Sequence, residues 1–172
     1  MKKKLFRFIL AVITVFSLAL PASAEASESR TYSIPVTLTV THSAKHINVT
    51  LPAAMPVSIS DGKILTASNL KIENHADSVS VRVSSVEVRN GSFSVVSYGN
   101  FPETGRNERI ALRINGCETT GPGALALTDA AFPVITAGRD LPIRYQAKVA
   151  MTERSASVNA AYVIFTLKAA DA

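Results

Sequence analysis

From Tyr32 onward the chain alternates apolar and polar residues with a period of two, the pattern of strands that bury one face. Tyr32, Ile34, Val36, Leu38 and Val40 alternate with Ser33, Pro35, Thr37, Thr39 and Thr41. Pro35 cannot donate to a ladder, which places this strand at a sheet edge or starts the pairing beyond it. Ile47, Val49 and Leu51 alternate next, and Val57 and Ile59 lead through the hairpin pair Asp61–Gly62 to Ile64. Leu70 and Ile72 open the central stretch. There Val79, Val81 and Val83 keep one phase, and Val86 and Val88 take up the other. A slip of one residue turns side chains to the opposite face, so Ser84–Ser85 predicts a bulge or a change of sheet. Asn90–Gly91 follows, with Phe93 and Val95 beyond. That pair tolerates the positive φ angles of a type I′ turn, and the segment reads as the central hairpin of the domain.

Past Val96 the pattern loosens. Tyr98 to Arg109 holds Gly, Pro, Asn and Thr and predicts a long surface loop. Ile110, Leu112 and Ile114 form a strand closed by Asn115–Gly116. Asp129 to Phe132 suits one helical turn. Leu141, Ile143, Tyr145, Ala147, Val149 and Met151 give the longest clean alternation. Ala160 to Leu167 is apolar on both phases and predicts a strand covered on both faces. Turn signals every eight to twelve residues between short strands describe an all-β fold. The expected architecture is an Ig-like or jelly-roll-like β-sandwich of about nine or ten short, mostly antiparallel strands.

The beginning of the chain changes the charge picture. Lys2, Lys3, Lys4 and Arg7 precede an apolar run from Phe8 to Leu20 and the small-residue site Ala22-Ser23-Ala24. This is the layout of a secretory signal peptide over 1–24, with an apolar run shorter than the ~20 residues a bilayer span needs. A polar, flexible leader over 25–31 and a single domain over 32–172 would follow, in a secreted chain with no transmembrane segment. The whole sequence carries 18 bases and 13 acids, a net +5. Residues 1–24 hold four of those bases and no acid, leaving 14 against 13, or +1. The basic balance thus belongs largely to the signal, and nucleic acid is not an expected partner. With no Trp and few other aromatics, Val, Ile, Leu and Ala must fill the core. Cys117 stands alone, so no intrachain disulfide forms, and it reads as a small buried residue.

Candidate chemistry is sparse. His42, His46 and His75 have no carboxylate at ligand spacing and no HExxH helix, so no metal and no cofactor is assigned. No GxSxG or SxxK pattern accompanies the many serines, and no catalytic residue is assigned. Phe101-Pro102-Glu103-Thr104-Gly105 matches a sortase signal in letters, but 67 residues follow it and it reads as a turn. Two surfaces remain. The loop residues Tyr98, Phe101, Arg106 and Arg109 form a candidate binding loop for glycan or peptide. Tyr32, Ile34, Val36 and Leu38 form a candidate arm for donation into a neighbouring subunit, the alternative being an ordinary first strand within its own domain.

The order of motifs carries a resemblance. IleAsnValThrLeuProAlaAlaMetProValSerIle is followed by AspGlyLys, LysIleGluAsnHis, ArgIleAsnGly, LeuProIleArgTyrGlnAlaLysVal and TyrValIlePheThrLeu. Over roughly residues 34–168 this is similar to small secreted β-sandwich surface proteins of Firmicutes. More distantly it resembles the TasA/camelysin biofilm-fibre group and WxL cell-wall modules, although the chain has no Trp to supply the WxL motif. The resemblance implies a Gram-positive, extracellular or surface-associated, non-enzymatic protein. Such a protein would act by self-association or adhesion, with itself, other surface proteins or glycans as partners. A glycan- or peptide-binding module is the alternative expectation, and a hydrolase the third.

Overall fold

A computed structural model of the chain describes residues 30–40, 46–60, 62–102, 108–150 and 157–170. Segment 1–24, His42, Arg106 and Met151 lie outside these residues. The described chain is an all-β sandwich without a helix. Its first half contains β1 (Arg30–Tyr32), β2 (Val36–Val40), β3 (Val49–Thr50), β4 (Val57–Ser60), β5 (Lys63–Thr66), β6 (Leu70–Asn74) and β7 (Val81–Asn90). The second half contains β8 (Ser94–Val95), β9 (Arg109–Ile114), β10 (Cys117–Glu118), β11 (Gly123–Ala124), β12 (Asp140–Ile143), β13 (Tyr145–Ala150) and β14 (Ala161–Ala169). The number exceeds the nine or ten expected because several are pairs of only two or three residues, too short to show an alternation.

Four small sheets share one core. Their orders are β11-β7-β14-β2, β10-β9-β13 with β8 added on β9, β12-β6-β3, and β1-β4-β5. Pairing is antiparallel except for β2 on β14 and β8 on β9. Val81, Val83, Val86 and Val88 of β7 and Val163, Phe165 and Leu167 of β14 point into a single apolar cluster with Ile72, Ile110, Leu112, Ile143 and Tyr145. Each such buried side chain contributes about 1.5–3 kcal/mol relative to exposure. Phe132 meets Phe165 edge-on, with ring centroids 6.5 Å apart.

The slip at Ser84–Ser85 is a bulge. Thr166 pairs with Ser85 and Leu167 with Val83, so Ser84 is the unpaired extra residue, and its hydroxyl donates to the Thr166 carbonyl at 3.1 Å. Because of that insertion Val83 and Val86 both reach the core.

Other expectations are corrected. Asn90–Gly91 is no type I′ turn, because neither residue has positive φ. Gly91 N and Phe93 N both donate to Ala160 O, at 3.2 and 3.0 Å, and the chain crosses to the other sheet, where β8 runs parallel to β9. The positive-φ pair is Asn115–Gly116, at 46° and 87°, between β9 and β10. The long alternation from Leu141 is two strands: β12 pairs with β6, β13 with β9, and the chain changes sheet at Arg144. Asn115 clamps that crossing, its Oδ1 accepting from Arg144 N at 2.8 Å and its N–H donating to Arg144 O at 2.7 Å. β14 lies inside its sheet but is buried on one face only, with Tyr162 39% exposed on the other. Pairing starts at Arg30, inside the stretch read as leader.

Three polar side chains fasten the loops. Asn74, buried in the core, spreads its amide over the carbonyls of Val79, Ile135 and Thr136 at 2.8–3.2 Å and accepts from Ala76 N at 3.1 Å. Thr119 donates to Val96 O at 2.8 Å and accepts from Leu112 N at 3.1 Å. Tyr145 donates its hydroxyl to Pro56 O and accepts from Ala67 N at 3.1 Å, holding both ends of the β4–β5 hairpin. Burial raises the Tyr145 phenol above its ordinary value.

Candidate functional site

The candidate arm divides at Pro35. Arg30–Tyr32 pairs with β4, and Val36–Val40 crosses to lie parallel on β14. The crossing is woven in on both sides. Ser33 N donates to Val158 O at 3.1 Å, Val163 N to Pro35 O at 3.0 Å, Met55 N to Ile34 O at 2.9 Å and Val36 N to Ala53 O at 3.2 Å. Ile34 is fully buried and Val36 half-buried. Tyr32 is placed by its backbone pairing with Val57. The arm therefore serves its own domain as a first strand. Pro35 costs the ladder little, since its carbonyl, the group it retains, is the one that β14 uses.

Beyond Val36 the strand is held on one side only. Successive residues of a strand turn their N–H and C=O groups to alternate sides. Pro35 O faces β14 and Val36 N faces Ala53, so the N–H and C=O of Leu38 face away from β14. Among the described residues no strand pairs there. Leu38 shares the core-facing side with Phe165, its register partner, yet it is 38% exposed. Thr37 and Thr39 are exposed on the other face. The edge from Val36 to Val40 reads Val-Thr-Leu-Thr-Val. It carries no charge, no proline and no bulge, the usual devices that keep edges from pairing.

The candidate binding loop is arranged differently. Tyr98 is only 7% exposed and lies on the outer face of the β9–β13 sheet. The Arg113 guanidinium is 4.4 Å and the Lys148 ammonium 4.6 Å from its ring centre. Its hydroxyl donates to Gln146 Oε1 at 3.2 Å, and its carbonyl accepts from Lys148 Nζ at 2.9 Å. Ala111, the register partner of Lys148, is fully buried although it sits on the outward phase of β9. Arg113 donates its Nε to Glu118 Oε1 at 2.8 Å, and that bond raises its pKa. Phe101 is half-buried, Arg109 is half-buried at the start of β9, and Arg106 lies outside the described residues. The structure thus brings Tyr98 and Arg109 to one sheet face but occupies the aromatic ring with the protein's own cations. Exposed aromatics do not gather on a face among the described residues: Tyr145 is buried and Tyr162 stands alone.

A polar groove of about 400 Å³ at the end of β6 is lined by Glu73, His75, Arg139 and Asp140. Glu73 and Asp140 are directly opposed across β6 and β12, and both bind Lys71, at 2.6 and 3.3 Å. His75 Nε2 meets Thr50 Oγ1 at 2.9 Å. The carboxylates are tied to a lysine, and the histidine to the hydroxyl of Thr50, which is the register partner of Glu73. His46 is exposed and Cys117 buried. Among the described residues no three His, Cys, Asp or Glu are grouped to hold a metal ion.

What the sequence reading missed was the split in pairing along the arm, with a base bonded on both sides and a tip bonded on one. The signal was present in Thr37, Leu38 and Thr39, which follow the proline and bear no charge. The comparisons add no relative: no protein-family model, no curated protein and no solved structure matches the chain.

Proposed function

We propose that the chain is exported and works outside the cell, at the surface or in the matrix, as a non-enzymatic β-sandwich that associates with its own copies. The observation that carries this reading is the uncharged edge of β2 beyond Val36, from Thr37 to Val40, which is held on one side only. Two such edges, brought together antiparallel about a two-fold axis, satisfy each other's N–H and C=O groups and cover both copies of Leu38. The contact adds a strand at the tip and leaves the anchored base, Ser33 to Val36, in its own domain. Export rests on the charged, apolar and small-residue layout of residues 1–24. No observation favours the glycan-binding alternative, whose aromatic ring is already covered.

The test has two parts. Mass spectrometry of the chain recovered from culture medium should give an N-terminus at Glu25, whereas intact cell-associated chain would refute export. Sedimentation of the mature chain over a range of concentrations should show reversible association that Leu38→Lys abolishes while the melting temperature stays close to the wild type. Monomers at every concentration, or association untouched by the lysine, would show that the β2 edge is not the contact.

A further inference from the structure

On the outer face of the sheet, two cations stand directly across from one another: Lys168 of β14 is the register partner of Arg82 of β7. Like charges placed opposite on neighbouring strands destabilise the pair. One carboxylate answers them. Asp129 Oδ1 lies 3.4 Å from Arg82 Nη1, but its side chain is 87% exposed, so the pair is loose and screened. Among the described residues no carboxylate pairs with Lys168. Elsewhere on this face Glu87 is already taken by Arg89, through bonds of 2.8 and 3.1 Å.

The pair is also shaped. Two concavities of about 220 and 210 Å³ flank it, and Arg82 and Lys168 line both. Ser84 and Thr128 stand in the second, which opens beside the bulge, where local twist is greatest. The Thr128 hydroxyl accepts from Ala131 N at 3.3 Å and keeps its own proton to donate. The guanidinium, the ammonium and the hydroxyl thus line one concavity, where the Asp129 carboxylate is the only charged acceptor among the described residues. A ligand that fits must be anionic and must offer several acceptor oxygens in three dimensions. A tetrahedral oxyanion does so, whereas a planar carboxylate presents only two oxygens to the fork of the arginine.

We propose that Arg82 and Lys168, with the Thr128 hydroxyl, form a binding site for a phosphate group, free or ester-linked. Asp129 swings aside from Arg82 when the phosphate enters. This site is separate from the β2 edge and does not depend on the association proposed there. The two sources of the chemistry are inorganic phosphate and the phosphodiester of an extracellular polymer.

The probes are sodium phosphate and a poly(glycerol phosphate) chain, each compared with sodium chloride at matched ionic strength. The readouts are melting temperature and the amide NMR shifts of β7 and β14. Binding to the folded state raises the melting temperature with ligand concentration. The expected result is a saturable rise with phosphate, absent with chloride, that Arg82→Gln and Lys168→Gln each reduce at least tenfold in apparent affinity. Arg89→Gln, on the same face, should leave it unchanged. Lys168→Gln alone should fold and be no less stable than the wild type, because it removes the repulsion. Tighter binding of the polymer assigns the ester-linked source, and equal binding per phosphate the free ion. No saturable response to either probe, a response that chloride matches, or one that survives both substitutions overturns the proposal.

Discussion

β14 has two neighbours, and Phe165 touches both. On one side its register partner is Val86 of β7, fully buried in a ten-residue strand. On the other it is Leu38 of β2, an apolar residue on the same inward phase that remains more than a third exposed. The backbone pairing is continuous on the β2 side and interrupted by only the one bulge on the β7 side. The difference lies in what covers the side chains, so one neighbour supplies stability while the other leaves an edge available. A sheet's energy and its accessible surface are thus separated by the width of one strand.

The same substitution made on both sides should break the symmetry most. Val86→Lys puts an ammonium among Val, Phe and Ile side chains with no partner, and a buried unpaired charge costs several kcal/mol. That variant should be unfolded by circular dichroism at room temperature. At Leu38 the lysine stem lies along the apolar surface with its charge in water, and the loss should stay below about 1 kcal/mol. Equal loss at both positions would mean that β2 is as deeply packed as β7.

Gly91 sharpens the β7 side. A Cβ there would stand 2.4 Å from Asn159 O and 2.9 Å from Ala160 C, both backbone atoms. Gly91→Val should therefore cost about 1–3 kcal/mol in denaturant titrations through overpacking, with no contribution from backbone φ. Gly91→Ala, with its single methyl, should already show most of that loss; a harmless alanine would mean that the two segments stand further apart.

The smallest expected effect concerns the β4–β5 hairpin, whose two ends are tied by the Tyr145 hydroxyl. Burial raises this phenol above its ordinary value of 10.0, so the fold favours the protonated form. Its contribution is fully present below pH 10. It is lost as the pH rises from 10 through the folded value, because the unfolded chain releases the proton first. Tyr145→Phe should lower stability by about 1 kcal/mol at neutral pH. It should also show a smaller further loss than the wild type between pH 9 and 11 in thermal melts.

Much of the fold was legible because alternation reports burial directly. The bulge at Ser84–Ser85 could be read from the valine phase alone, and the Asp61–Gly62 hairpin appears as the antiparallel pairing of Ser60 with Lys63. What alternation does not report is which sheet a residue belongs to. Ile143 and Tyr145 face the same core whether or not the chain changes sheet at Arg144, so the crossing leaves no mark on the pattern. Asn90–Gly91 misled for a related reason. The pair tolerates a tight turn, but the carbonyls of Asn159 and Ala160 take the N–H groups of Gly91, Ser92 and Phe93, and long-range pairing prevailed over local preference. Of the candidate sites, the interruption of the first strand at Pro35 was readable, since β1 ends at Tyr32 and β2 begins at Val36. The capture of Tyr98 by Arg113 and Lys148 was not, since those residues meet only after β9 and β13 pair.

The parallel seat of β2 on β14 also dictates an order of events. In the β11-β7-β14-β2 sheet an inner strand, β14, is the last of the described strands, and β2, which lies against it, is the second. Until Ala161–Ala169 has docked, β7 lacks its longest partner among the described residues, β2 lacks the ladder on which it lies and Phe165 is missing from the core. A chain in which Ala161–Ala169 has not yet docked stays open at its core, and the docking of that strand closes it in one cooperative step. Contacts this distant in sequence make closure slow, and during that interval the apolar strands are open to whatever lies nearby. Slow closure thus lengthens the time for which the strands that will form the core remain unpaired.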